Sequence, residues 1–437
     1  MKSKMKLRLE DFTAIGLPIL LFLMVYTGSH VFFYLVLLIG LLFINKPAVI
    51  LPVYFVSSLN TTYFSLSSGM SAGRFIFILA FLSLIIKLLK NKNRVSNPTT
   101  PLAVVLIIYT FFSALLSITG NLEPFVLMLM NLLIFILLPY CIGFDLNKFY
   151  HYLSISYFAC LISIAFYILQ NGQELFVERF HDEEEVMNSN NLAMMCNQVG
   201  TLLFAMFLIT KNIWSRAVSL LGFVIALMEI VILGTRSAFI ALILSLVIGF
   251  VLYRREYSSN NKKSVRLIFL SLVILGGIVI YYLTSLDTPL MERFTAESVV
   301  ESKGTNRLNL IDIIMSKIFP EHPLFGVGIG GRNILEAGKP FGLERPAHNI
   351  IIDPLSQLGI VGFLLYMCLL IPLFLKSFTI TKKSAYPIVI LPALLLCITS
   401  VINGIGEVVF YEKFFWNNLA LCAFCICSKN SVANGSL

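Results

Sequence analysis

Charge is what this sequence has least of. Only 13% of its 437 residues are charged, 58% are hydrophobic, and the mean hydropathy is +0.88. Soluble domains carry about 25% charged residues. A chain this apolar cannot hide its side chains inside one water-facing core, which excludes a soluble enzyme, a disordered protein and a secreted disulfide scaffold. Tryptophan is nearly absent: 2 residues against 37 Phe, so the aromatic content is lipid-facing or core bulk. Cysteines in polar loops are missing too. Cys141, Cys160, Cys196, Cys368, Cys397, Cys422, Cys425 and Cys427 all fall in apolar stretches, so no disulfide framework is expected. Cys422, Cys425 and Cys427 have no matching second Cys or His pair, and no metal site is expected there. No P-loop or other Gly-rich nucleotide motif occurs. The cytoplasmic loops are too short to hold such a domain, which argues against an ATP-driven pump and against use of a cytosolic nucleotide-sugar.

What is present is a series of apolar runs. They lie near 12–28, 30–45, 47–59, 74–89, 101–118, 124–142, 151–169, 191–210, 216–233, 237–253, 266–283, 349–374, 386–403 and 412–427. A bilayer core of about 30 Å needs about 20 helical residues. Segment 47–59, with Pro47 and Pro52, is short and reads as broken or tilted. The expected fold is an all-α integral membrane protein, a polytopic helical bundle of 12–14 spans. The basic start Met-Lys-Ser-Lys-Met-Lys-Leu-Arg has no small-residue cleavage site after it, so the first run reads as an uncleaved span. Threading the chain from a cytoplasmic N-terminus leaves 21 Lys+Arg and 4 Asp+Glu inside, and 11 and 17 outside. The net +9 is therefore a positive-inside bias and not a nucleic-acid footprint, and both termini read as cytoplasmic. The organisation that follows is an N-terminal bundle (1–169), an acidic outer loop (170–190), segments carrying Arg236 (191–283), a long extracytoplasmic loop (284–348) and a C-terminal bundle (349–437).

Polar residues stand out where they are costly. Arg236 lies in Gly234-Thr235-Arg236-Ser237-Ala238, between two apolar runs with no real loop, at the start of a helix. A guanidinium near hydrocarbon needs an anion. Either it captures a phosphate at the outer leaflet, aided by the helix N-terminus, or it snorkels or pairs with Glu229 on the preceding span. Glu229 and Asp353 are acids inside the apolar runs; each orients a basic residue or is a hydrogen-bonded structural acid. Arg307 follows Gly304-Thr305-Asn306 and opens an amphipathic helix to Ile318, with Asn309, Asp312 and Ser316 on one face. Thr305 or Asn306 is a natural N-cap. A basic residue in the first turn is opposed by the helix dipole, and an anion there would offset this. Pro320 to Gly331 includes four glycines in six residues, a loop beneath the site or a plain linker. His348 opens the next span in Pro346-Ala347-His348-Asn349 and is the histidine placed to act as a base. Arg74, opening a span at the outer face, is a weaker candidate for holding lipid phosphate. Arg179, in the acidic loop, binds acidic sugars or pairs with Glu183.

In order, these pieces resemble the O-antigen ligase and polymerase superfamily. The resemblance is carried by Asn188-Ser189-Asn190-Asn191-Leu192-Ala193, Gly234-Thr235-Arg236-Ser237-Ala238, Gly304-Thr305-Asn306-Arg307, Glu321-His322-Pro323-Leu324-Phe325-Gly326-Val327-Gly328-Ile329-Gly330, Ala347-His348-Asn349 and Leu358-Gly359-Ile360-Val361-Gly362. It covers roughly 188–365. It implies a C-type, metal-independent glycosyltransferase without a cofactor, in the bacterial inner membrane with its site on the extracytoplasmic face. The implied donor is a sugar chain on undecaprenyl pyrophosphate, and the implied partners are a flippase and a chain-length regulator. Arg236 and Arg307 would hold the pyrophosphate, with Asn191 and Asn349 as substrate contacts, and His348 would activate the acceptor hydroxyl. The expected activity is polymerisation of repeat units of a surface polysaccharide such as O-antigen or capsule. Transfer to lipid A–core by a ligase is the runner-up. A flippase or exporter of lipid-linked oligosaccharide would show two mirrored halves, and a solute transporter would show mid-membrane ion ligands.

Overall fold

In the computed structural model the described residues are 9–257, apart from 61–62, 68–69, 91–96, 142–143, 178–188 and 211, and 307–433, apart from 344, 384–386 and 408. The expected segment 266–283 and residues 284–306 lie outside them. Every other apolar run forms a helix. Among the described residues, eight helices are long and apolar enough to cross a membrane. Five shorter apolar helices accompany them: His30–Leu42, Pro47–Ser57, Thr100–Leu115, Ile390–Gly404 and Lys413–Cys427. The protein is a polytopic helical membrane protein. Many large apolar side chains face outward, as on Val31, Tyr34, Leu38 and Leu41 of one helix, which suits a lipid solvent and not water.

The chain forms two compact units. The first comprises Met1–Arg94 and Cys141–Leu242. It contains α1 (Leu9–Thr27), α2 (His30–Leu42), α3 (Pro47–Ser57), a small hairpin of β1 (Ser65–Ser67) and β2 (Met70–Ser71), α4 (Ala72–Lys90), α7 (Leu146–Val177), α8 (Ser189–Ile209), α9 (Ile213–Leu233) and the start of α10 (Arg236–Tyr257). Helix α3 has 11 residues and is almost wholly buried. At 1.5 Å per residue it reaches about 16 Å, too short to span lipid alone, as the length of the run implied; it continues unbroken through Pro52. Helix α8 is the buried centre of this unit, with Asn197, Gln198 and Thr201 inside.

The second unit comprises Val95–Tyr140 and Ile243–Leu437. Its elements are α5 (Thr100–Leu115), α6 (Glu123–Leu137), α11 (Arg307–Ile313), α12 (Gly331–Gly338), α13 (Ile352–Lys383), α14 (Pro387–Gly404) and α15 (Lys413–Ala433). Trp416 of α15 is fully buried against Phe135 of α6 and Tyr366 of α13.

Helix α13 is broken at Gly359, whose φ is 64° and ψ −174°. In an unbroken helix the N–H groups of Ile360 and Val361 would bond the carbonyls of Ser356 and Gln357. The break frees all four groups inside an apolar setting, where each unmade bond is expensive. The glycine-rich loop supplies every partner. Val327 N–H donates to Ser356 O at 3.1 Å and Gly328 N–H to Gln357 O at 3.0 Å. Ile360 N–H donates to Pro323 O at 2.9 Å and Val361 N–H to Leu324 O at 3.2 Å. The Tyr109 hydroxyl of α5 takes the next carbonyl, Leu358 O, at 2.5 Å. Of the two sequence readings of this loop, the linker reading is corrected: it is a built wedge.

This fit requires glycine on both sides. A Cβ on Gly359 would sit 2.3 Å from Leu324 O, and one on Gly326 would sit 2.3 Å from Gln357 O, both on left-handed backbone. Gly342 has a similar φ of +73° but open space around it. Gly359→Ala and Gly326→Ala are therefore expected to destabilise by on the order of 4 kcal/mol or more. Gly342→Ala should cost only about 1–2 kcal/mol, the left-handed strain alone. Thermal unfolding in detergent checks the order; equal losses at all three positions would contradict the wedge.

Candidate functional site

Arg307 is the first residue of α11, and the chain continues through a π-helical turn, Ile314–Ile318. An unbroken α-helix to Ile318 was expected, so this is a correction. The expected polar face holds: Asn309, Asp312 and Ser316 are exposed. The buried edge is Ile314 and Ile318, packed with Val327, Ile334, Leu343 and Ala347. That small core ties three things together: the helix bearing Arg307, the glycine-rich loop and the approach to His348.

Arg307 and His348 converge on a carboxylate that the sequence reading passed over. Arg307 Nη2 lies 3.3 Å from Glu407 Oε1, and His348 Nδ1 lies 3.9 Å from Glu407 Oε2. Glu407 is the most buried of the three, with 10% of its side chain exposed against 30% and 32%. It is the anion that a first-turn arginine calls for, since the helix dipole opposes a positive charge there. The pair is bonded on one side only, at the long end of hydrogen-bond range. His348 is beyond that range, and its Nδ1 has no hydrogen-bond partner among the described residues.

Burial first, then the guanidiniums of Arg307 and Arg345, push His348 down to about 4. Its imidazole is thus neutral at neutral pH and able to take a proton. Burial pushes Glu407 up, and Arg307 pulls it part of the way back.

His348 does not open the span, as expected; α13 begins at Ile352. Instead His348 occupies the turn before it with φ 51°, the sole positive φ on a non-glycine among the described residues. Such backbone is costly and needs surrounding structure to hold it. The Asn349 side chain is engaged at both ends. Its Oδ1 accepts from Ile351 N–H at 2.9 Å and Ile352 N–H at 3.2 Å, and its Nδ2 donates to Ile405 O at 3.3 Å. Asp353, read as orienting a basic side chain or as a hydrogen-bonded structural acid, is fully buried and accepts from the Asn349 peptide N–H, 2.9 Å from Oδ2.

The remaining candidates belong to the first unit. Helix α9 ends on Gly234 with left-handed φ 64°, and Arg236 is the first residue of α10, half-buried. The Thr235 hydroxyl donates to Asn190 Oδ1 at 3.1 Å, so Asn190 ties the start of α8 to the α9–α10 break. Asn191, next to it, is half-buried. Glu229 is buried and accepts from Cys196 Sγ at 3.0 Å. Arg74 is half-buried in the first turn of α4. Arg179, Thr305 and Asn306 lie outside the described residues. The structure therefore brings Arg307, His348, Asn349 and Asp353 together in one unit, around Glu407.

Residues 221–367 match the O-antigen ligase family. The matched segment holds Arg236, Arg307, the glycine-rich loop, His348, Asn349, Asp353 and the Gly359 break, and it stops short of Glu407. No curated protein matches the chain. Members of this family are glycosyltransferase-like enzymes of the bacterial cell envelope, and the family supports a ligase- or polymerase-type function here.

Glu407 and Arg345 were missed. Glu407 sits in Asn403-Gly404-Ile405-Gly406-Glu407, a glycine turn between two apolar runs; an acid at such a boundary was the available signal. Arg345 stands three residues before His348, and only the fold of the turn shows that its charge acts on the imidazole.

The protonation state can be read directly. Peptide-resolved labelling of histidines by diethyl pyrocarbonate, which attacks neutral imidazole, should titrate at His348 with a midpoint near pH 4. Arg307→Gln removes a positive neighbour, favours the protonated form and should move that midpoint upward. A midpoint near the ordinary value of about 6.5 in both proteins would contradict the description.

Proposed function

We propose that the protein is a polymerase that joins lipid-linked repeat units into a surface polysaccharide, O-antigen or capsule. In this reading the site faces the extracytoplasmic side of the bacterial inner membrane, and the donor is an oligosaccharide on undecaprenyl pyrophosphate. The observation that carries the proposal is the grouping of a neutral imidazole, a guanidinium and a buried carboxylate within hydrogen-bonding reach or one atom layer beyond it. Two of these three side chains lie in the segment that matches the family.

The chemistry follows from the groups. An acceptor sugar hydroxyl attacks the anomeric carbon of the donor, and the bond from that carbon to the pyrophosphate oxygen breaks. The proton goes to His348, and the electron pair leaves with the pyrophosphate. Arg307 stabilises the negative charge that grows on the leaving group, an effect largest in the transition state. Glu407 holds Arg307 before substrate arrives, and its carboxylate stabilises the imidazolium once His348 has taken the proton. Arg236, at the first residue of α10, keeps the role of pyrophosphate holder that the resemblance gives it. Direct in-line attack inverts the anomeric centre.

A ligase would use the same groups with lipid A–core as acceptor. Purified protein given lipid-linked repeat units without lipid A–core separates the two: a polymerase makes a ladder of longer chains, and a ligase makes none. In that assay His348→Ala should abolish product. Arg307→Ala and Arg236→Ala should each slow it by on the order of 10²–10³, the range for a lost electrostatic donor. A full ladder from His348→Ala would overturn the proposal.

A further inference from the structure

The turn that carries His348 is held from below by one buried acid. The chain at His348 runs in the left-handed region, at φ 51°. The peptide that follows it donates Asn349 N–H to Asp353 Oδ2 at 2.9 Å. The reciprocal bond, Asp353 N–H to Asn349 O at 3.0 Å, closes the ring. This is a variant of the capping box, in which a side chain inside the helix reaches back to a peptide before it. Two more bonds pin the same turn to the segment that leads to Glu407: Ile350 N–H donates to Gly404 O at 2.6 Å and Asn349 Nδ2 to Ile405 O. An L-residue other than glycine, asparagine or aspartate pays roughly 1–2 kcal/mol to sit in this region. Left alone, the turn would relax and swing the imidazole.

We propose that Asp353 is a positioning residue for His348: by accepting a hydrogen bond from the peptide N–H of Asn349, directly after it, the carboxylate fixes the strained turn that presents the imidazole beside Glu407 and Arg307. The proposal rests on the reading of His348 as the proton acceptor in glycosyl transfer, and it assigns Asp353 no contact with substrate. Asn349 serves the same turn by capping α13. A neutral amide at 353 retains one acceptor oxygen of the right shape, whereas an aliphatic side chain retains none.

The test compares Asp353→Leu and Asp353→Asn with wild type in the polymer-ladder assay, and follows labelling of His348 by diethyl pyrocarbonate at pH 7. For Asp353→Leu the expected result is a fall in kcat of about tenfold or more, KM for the lipid-linked donor within about twofold, and His348 labelled several-fold faster as it leaves its half-buried place. Asp353→Asn should restore both readouts to within about threefold of wild type. Unchanged kcat and labelling in Asp353→Leu would overturn the proposal, as would a loss expressed only in KM. If Asp353→Leu is not recovered folded, the double variant Asp353→Leu/His348→Gly decides. Glycine adopts the turn without help, so the double variant should be recovered, and its failure would overturn the proposal. Labelling and recovery need no catalysis. They therefore report on Asp353 even if His348→Ala remains active and the functional reading fails.

Discussion

Four peptide hydrogen bonds join the broken helix α13 to the glycine-rich loop, and the second unit is organised around them. A break inside an apolar helix leaves two donors and two acceptors that lipid cannot satisfy. The loop meets all four, and Tyr109 meets the next carbonyl. With the loop fixed on α13, Val327 is placed to pack with Ile314, Ile318 and Ala347. That apolar core in turn sets Arg307 at one end and the turn of His348 at another. The polar site is thus a consequence of backbone bonding several residues away from it.

The site itself is a balance of charge and burial. A partly buried arginine and a mostly buried glutamate stabilise each other, since either alone would be costly in this setting. Burial, and then the same arginine acting at longer range together with Arg345, keep the imidazole unprotonated. A histidine next to a carboxylate would ordinarily be drawn toward the charged form. Here burial and two guanidiniums outweigh that pull, so the group is available as a base. Strain is stored in the same place: the left-handed φ at His348 lies on a turn tied by Asp353, Asn349 and the Gly404–Ile405 segment.

Much of this was legible in the sequence, because lipid imposes simple rules. Apolar runs of sufficient length become helices, so each run that falls on described residues lies on a helix, although α7 and α13 continue up to nine residues beyond the run. The length of run 47–59 already marked α3 as too short to cross. Arg236 at a helix start could be read from the glycine before it, and the exposed polar stripe on α11 from its spacing. What could not be read depends on contacts far apart in the chain. Glu407 is one hundred residues from Arg307, and nothing local marks it as that residue's partner. The φ of His348 follows from a carboxylate five residues later and from carbonyls near residue 404. Asp353 looked like a mate for a basic side chain because intramembrane acids usually are; its actual partner is backbone, which carries no signature in composition.

The central claim is that the donor's pyrophosphate lies against Arg307 with its reacting carbon next to His348. Photo-crosslinking tests this most directly, using a lipid-linked oligosaccharide with a diazirine near the pyrophosphate and mapping adducts by peptide mass spectrometry. The account predicts adducts in the peptides around 307–318, 345–353 and 404–413, lost when unmodified donor competes. Adducts confined to other peptides, with none near Arg307 or His348, would contradict it.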